Sequence, residues 1–109
     1  MIYKKISWEE YCWDLRDRTG AYLVIYPNGD KEWLFNGLLH REDGPAIESA
    51  EGVKAWWIHG EIHREDGPAT EWADGTKEWY IHGEYYGTEE EWQIALDELR
   101  AKEIKDLIV

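Results

Sequence analysis

The sequence predicts a mainly β fold, an antiparallel meander of repeated β-hairpins forming an open sheet, with a short α-helix at each end. Three observations predict it. A 23-residue unit recurs three times without a gap, as VIYPNGDKEWLFNGLLHREDGPA over residues 24–46, IESAEGVKAWWIHGEIHREDGPA over 47–69 and TEWADGTKEWYIHGEYYGTEEEW over 70–92. Glycine marks two turn positions in every unit, Gly29, Gly52 and Gly75, then Gly37, Gly60 and Gly83. Between these turns lie β-favouring runs around Trp33, Trp56 and Trp79, which suit short strands whose side chains alternate between two faces.

Taken in chain order, residues 1–20 read as a helical cap. Ser7 with Glu10 has the form of a capping box, and Trp8, Tyr11, Cys12 and Leu15 make a helical stripe. Residues 17–21 echo the loop at 43–46 with one extra residue, which points to a degenerate repeat ahead of the three clear ones. Asn36-Gly37, His59-Gly60 and His82-Gly83 each follow a strand-like run and fit two-residue turns that need positive φ, so every unit holds a hairpin. Asn28-Gly29, Glu51-Gly52 and Asp74-Gly75 connect one unit's return strand to the next unit's outgoing strand. The result is a sheet of about six short strands. Pro45 and Pro68 limit pairing where the return strands begin, which suits a bulge or a strand start.

Alternation puts Trp33 and Phe35, Trp56 and Ile58, and Trp79 and Ile81 on one face, expected to be the packed one. The opposite face receives Leu34, Trp57 and Tyr80 beside Glu32, Ala55 and Glu78, too aromatic for plain solvent surface and too charged for a core. The third unit replaces the loop sequence with Gly87-Thr88-Glu89-Glu90-Glu91-Trp92, a second capping box leading into Trp92, Ala95, Leu96 and Leu99. A C-terminal helix over 88–109 therefore closes the array, as repeat arrays need end caps to cover apolar faces and free strand edges. At 109 residues and 12.9 kDa, the whole is expected to form a single domain, residues 1–109.

Composition narrows the function. An apolar share of 43% with eight Trp and seven Tyr indicates a folded chain. Twenty-four acidic residues against twelve Lys and Arg give a net charge of -12, a field that repels phosphate backbones and anionic lipid, so neither direct nucleic-acid binding nor membrane binding is expected. The same field attracts basic surfaces, and it also serves solubility. Cys12 is alone, which excludes an internal disulfide and a multi-cysteine metal site. The opening seven residues hold no apolar stretch long enough for a signal peptide or a membrane helix, so a cytoplasmic location is expected.

His40-Arg41-Glu42-Asp43 and its copy His63-Arg64-Glu65-Asp66 gather the ingredients of acid-base chemistry. Their repetition argues for a structural role, because an active site needs one supported constellation whereas Arg here can pair with the neighbouring unit's carboxylates. An enzyme acting through His63 and Asp66 is the competing reading. His59, His63, Asp66 and His82 could meet across repeats as a zinc or nickel site, but His59 and His82 share a position with Asn36, so turn chemistry accounts for them. No phosphate-cradling loop or nucleophile elbow is present, and no catalytic, metal or cofactor residues are assigned.

The candidate binding site lies in residues 70–91, where carboxylates outnumber the single base Lys77. We assign it Trp57, Glu71, Trp72, Asp74, Glu78, Tyr80, Glu84, Tyr85, Glu89 and Glu90, aromatics serving as anchors and carboxylates as steering for a basic protein partner. A solvated face beside a core is the plainer account of the same residues.

The 23-residue period with its paired glycine turns, over residues 24–92, resembles the MORN-type repeat, which builds sheets of one hairpin per repeat. The strings at 40–46 and 63–69 more closely resemble the small "HREDGPA" repeat proteins of tailed bacteriophages and some bacteria. Arg-Glu-Asp-Gly-Pro replaces the Gly-x-Gly core of the ordinary motif, so the lipid binding of some MORN proteins is not implied here. The resemblance implies a fold and a phage or bacterial setting, not an activity. The acidity and the acidic-aromatic run lead to the expectation of a non-enzymatic inhibitor, phage-type by that resemblance, that blocks a basic nucleic-acid-binding surface of a host or defence protein. An antitoxin-like neutraliser of a toxin and a self-associating virion or assembly protein are the alternatives. The chain is expected to be a monomer or small homo-oligomer.

Overall fold

The computed structural model describes residues 1–13 and 18–108. The chain begins with strand β1 (Lys4–Ser7) and helix α1 (Trp8–Trp13), followed by β2 (Ala21–Ile25), β3 (Lys31–Phe35), β4 (Leu38–Leu39) and β5 (Ile47–Glu48). Then come β6 (Lys54–Ala55), β7 (Trp57–Ile58), β8 (Glu61–Ile62), β9 (Thr70–Glu71), β10 (Lys77–Ile81), β11 (Glu84–Tyr86) and the long helix α2 (Glu89–Ile108). The mainly β architecture with a helix at each end is as the repeat predicts. Among the described residues no helix is long and apolar enough to cross a membrane.

The turns follow from backbone chemistry. Asn36, His59 and His82 have φ of 51°, 49° and 46°, and the glycines after them have 79°, 79° and 81°. Both central residues are thus left-handed, the type I′ geometry whose twist matches paired strands. Gly29, Gly52 and Gly75 have φ of 95°, 97° and 90° and donate to Tyr26, Ser49 and Trp72 carbonyls at 2.9, 3.1 and 2.9 Å, which forms the other turn class.

The return strands are not continuous. β4 and β5 both pair with β3, through Leu34↔Leu39 and Phe35↔Leu38, then Lys31↔Glu48 and Glu32↔Ile47. Trp33 holds the junction: His40 N donates to its carbonyl at 3.0 Å and its own N–H donates to Ala46 O at 2.8 Å, so residues 41–45 loop out between. Trp56 does the same for His63 and Ala69 at 3.0 and 2.8 Å. This excursion, where Gly-Pro was expected to make a bulge or a strand start, splits each of the first two return strands, into β4 with β5 and β8 with β9. With β1, β2 and the break at Trp56 between β6 and β7, the described residues hold eleven strands where about six were expected. The main sheet runs β1-β2-β3-β5-β6-β9-β10-β11, with β4 also on β3 and β7–β8 as a separate hairpin.

One expectation is corrected at the N-terminal end. The segment expected to be only a helical cap contributes β1, which pairs parallel with β2 from Lys4↔Tyr22 to Ser7↔Ile25, so the sheet is mixed. A short helix here is as expected: α1 spans Trp8–Trp13 among the described residues, and Ser7 Oγ accepts from Glu10 N at 3.2 Å as its capping box requires. Leu15 of the expected stripe and Asp17 of the expected loop echo lie outside the described residues. β2 pairs with β3 from Ala21↔Phe35 to Ile25↔Lys31 and leads into the turn at Gly29, as β5 leads into the turn at Gly52 and β9 into that at Gly75. It occupies the place of a preceding unit's return strand.

Apolar packing lies on opposite faces at the two ends. Tyr11, Val24 and Leu34 form one buried cluster, flanked by Ile6, Tyr22, Tyr26 and Leu39, with α1 over the Glu32 and Leu34 side of the sheet. Leu34, expected on the open face, is therefore buried. Ile81, Trp92 and Leu96 form the other cluster with Trp79, Tyr86, Ala95 and Leu99, beneath α2. Thr88 Oγ1 caps this helix by accepting from Glu91 N at 3.1 Å.

Candidate functional site: an uncovered acidic and aromatic sheet face

Cross-strand partners share a face. Ile47↔Ala55, Ala55↔Thr70 and Thr70↔Glu78 therefore trace one face across the middle of the sheet. Period-two alternation adds Trp57, Trp72 and Tyr80 to it, and Tyr80 stands opposite Tyr85. α2 packs on the reverse side and α1 covers only the far end. Five of the ten assigned residues, Trp57, Trp72, Glu78, Tyr80 and Tyr85, thus meet on a face that neither helix covers.

Trp72 and Tyr85 are 46% and 56% exposed, large values for aromatics and the reason this face differs from a core. Trp72 Nε1 donates to Glu78 Oε1 at 2.5 Å, which fixes an indole and a carboxylate side by side. Tyr80 and Tyr85 lie 5.3 Å apart at 57°. The Tyr80 hydroxyl has its pKa raised, first by burial and then by the Glu78 carboxylate and by Tyr85, so it stays a neutral hydrogen-bonding group. Trp57 is half-buried, and its Nε1 is buried without a hydrogen-bond partner among the described residues.

The other five assigned residues lie elsewhere. Glu71 sits on the reverse face, across from Lys54 and Lys77 and 3.8 Å from Arg64 Nη1. Asp74 serves its own turn, its Oδ1 accepting from Thr76 N at 2.9 Å, and that bond holds its carboxyl below the usual range. Glu84 pairs across from Ile81, which places it on the α2 side at the edge strand. Glu89 and Glu90 are exposed in the first turn of α2.

The repeated His-Arg-Glu-Asp loops are engaged internally. Arg41 and Arg64 lie over Trp33 and Trp56 with Cζ 3.9 and 3.8 Å from the ring centroids. Each Nε donates to the loop's own Asp43 or Asp66 at 3.1 and 2.8 Å, and each Nη1 to Pro45 or Pro68 O at 3.0 Å. Glu48 and Glu71 of the following units lie 3.7 and 3.8 Å away, the pairing with neighbouring carboxylates that the sequence implies.

The buried histidines join repeats, a role the sequence reading missed. His40 and His63 accept from the backbone N–H of His59 and His82 through Nδ1 at 3.0 and 2.8 Å. Each ring also packs on its neighbour's imidazole, at 4.3 and 4.1 Å. A neutral ring that accepts at Nδ1 carries its proton on Nε2, which faces Glu42 at 3.5 Å in one copy and Glu65 at 3.0 Å in the other. The structure thus pairs His59 with His40 and His63 with His82, and no group of three potential metal ligands forms among the described residues. A signal was available, since both positions repeat at 19-residue separation in an otherwise turn-like context.

Between the two loops lies an open cleft of about 600 Å³, floored by Trp56 and Ile58 and flanked by Arg100 of α2, on the side opposite the candidate face. No family model, no curated protein and no solved structure matches this chain.

Proposed function

We propose that this chain is a non-enzymatic protein-binding module whose uncovered face docks on a basic, nucleic-acid-binding surface of a partner protein in the cytoplasm and blocks it. The observation that carries this reading is the row Trp72, Glu78, Tyr80 and Tyr85, in which two exposed aromatics, Trp72 and Tyr85, flank the half-buried Glu78 and Tyr80 on a strand surface left bare by both helices. Exposed aromatics held by a rigid sheet supply anchoring area at little entropic cost. A net charge of -12 supplies steering toward a cationic partner and discriminates against anionic ones. The phage-type setting, with a host or defence protein as the partner, rests on the resemblance of the HREDGPA strings.

The test is capture from host lysate on the full tagged chain, run in parallel with a Trp72→Ser/Tyr85→Ser variant whose circular dichroism matches the parent. The expected result is one basic protein retained by the parent, released as salt screens the interface, and absent from the variant. Equal retention by both chains, or no specific retention, overturns the reading.

A further inference from the structure

The stack of repeats has two unlike ends. Inside it, each hairpin's return strand is engaged on its outer side by the next unit. Leu39 O accepts from Gly60 N at 2.8 Å while Arg41 N donates to Trp57 O at 3.1 Å. One unit later, Ile62 O accepts from Gly83 N at 2.8 Å and Arg64 N donates to Tyr80 O at 3.4 Å. Advancing by another 23 residues leads to Tyr85 O and Gly87 N. No unit follows them, because the chain turns into α2, which packs on the Trp79, Ile81 and Tyr86 side of the sheet rather than along the outer edge of β11. β11 thus ends the sheet with the same outward backbone groups to which the other hairpins dock their successors.

At the opposite end β1 is also an edge, bonded among the described strands only to β2. Lys4, Lys5 and Ser7 on it are exposed, and neither lysine makes an ion pair among the described residues. The β11 end carries exposed Glu84, Glu89, Glu90 and Glu91. Beyond the edge, α1 adds exposed Glu9 and Glu10, so the β1 end is mixed whereas the β11 end is acidic: two β11 ends repel each other, and the lysines of the β1 edge attract a β11 end.

We propose that the β11 edge of one copy pairs with the β1 edge of a second copy, head to tail, continuing the sheet from molecule to molecule. The backbone groups of Tyr85 and Gly87 take the place in that contact that Leu39 and Arg41 hold within the chain. Lys4 and Lys5 of the incoming copy lie against Glu84 and the first turn of α2. Such a contact joins different surfaces, so it propagates into chains or closes into rings rather than stopping at a two-fold dimer. It uses the strand edges and leaves the aromatic face free, so it stands apart from the partner-docking reading.

The experiment is light scattering coupled to size exclusion over a wide concentration range, with the full chain at about 0.15 M salt, where the Debye length of about 8 Å screens the distant charges but not apposed ends. The parent is expected to rise with concentration from 12.9 kDa to twice that mass and beyond. Lys4→Glu/Lys5→Glu and Glu84→Lys/Glu90→Lys are each expected to stay at 12.9 kDa, and an equimolar mixture of the two to regain the larger species. A parent that remains at 12.9 kDa at every concentration overturns the proposal, as do variants that associate like the parent or a mixture that stays monomeric. Far-UV circular dichroism of each variant establishes that charge reversal has not unfolded it.

Discussion

Arg64 lies over Trp56, its Cζ 3.8 Å from the ring centroid, and the same guanidinium sits against Gly67. A Cβ at Gly67 would stand 2.8 Å from that Cζ, and one at Gly44 would stand 2.9 Å from Arg41 Cζ. The glycine of each loop is therefore a matter of space. An arginine tip could ordinarily swing away, but this one is held by the indole, Asp66 and the Pro68 carbonyl. Gly67→Ala is expected to destabilise the fold by about 1–3 kcal/mol, measured by urea denaturation. In an Arg64→Ala background the same substitution should be close to neutral, because the atom it collides with is gone. A double-mutant cycle without coupling contradicts this account.

The histidine bridges give a second expectation. His63 is 5% exposed and its Nδ1 is the acceptor for His82 N. His63→Ala removes the ring and leaves that N–H without its partner, a loss of roughly 2–4 kcal/mol. His82→Ala exposes no buried donor and should cost less, mainly through the loss of ring stacking and of a residue placed at φ 46°. Equal losses for the two would mean that the bridge carries no special weight.

Much of this was legible in the sequence and some was not, for reasons that can be named. The turns were readable because Asn36-Gly37 and its copies demand positive φ at both positions, a property of single residues. β1 was not, because Lys4–Ser7 becomes a strand only by pairing with β2, a partner many residues away. Burial of Leu34 was missed for the same reason, since it depends on Tyr11 arriving from α1. Glu71 and Glu84 were assigned to the binding site by local charge, although their parity relative to Thr70 and Tyr85 already put them on the reverse face. The looping-out at residues 41–45 required knowing that Trp33 bonds both His40 and Ala46.

Two carboxylates should give opposite signs in a stability-pH profile. Asp30 accepts from Ala50 N at 2.7 Å and is engaged by Asn28, and these bonds hold its carboxyl below the usual 3.8. Its folded pKa is below the unfolded one, so its contribution is fully present above 3.8 and is lost as pH falls through the folded value. Glu32 is raised above the usual 4.5 by burial, while it accepts from the Tyr26 hydroxyl. Its ionised form is disfavoured in the fold, so that penalty disappears as pH falls from the raised folded pKa toward 4.5. Asp30→Asn should flatten the acid limb of the profile. Relative to Glu32→Gln, the parent should gain stability on acidification. Denaturant midpoints taken from pH 7 downward measure both, and a same-sign change in the two variants would contradict the assigned causes.

Tyr85 and Tyr86 are sequence neighbours on opposite faces, and they separate binding from stability. Tyr86 is half-buried against Trp92 and Leu96 under α2, so Tyr86→Ser is expected to cost roughly 2–4 kcal/mol of fold stability. Tyr85 is 56% exposed and touches mainly Tyr80 across the strand pair, so Tyr85→Ser should cost about 1 kcal/mol or less. If the uncovered face anchors a basic partner, Tyr85→Ser should nonetheless weaken that complex about tenfold or more. Thermal unfolding and a binding titration against the captured partner read the two quantities separately. A Tyr85→Ser chain that binds like its parent would remove the aromatic row from the interface, whatever the fate of Tyr86→Ser, because loss of binding in the latter can follow from unfolding alone.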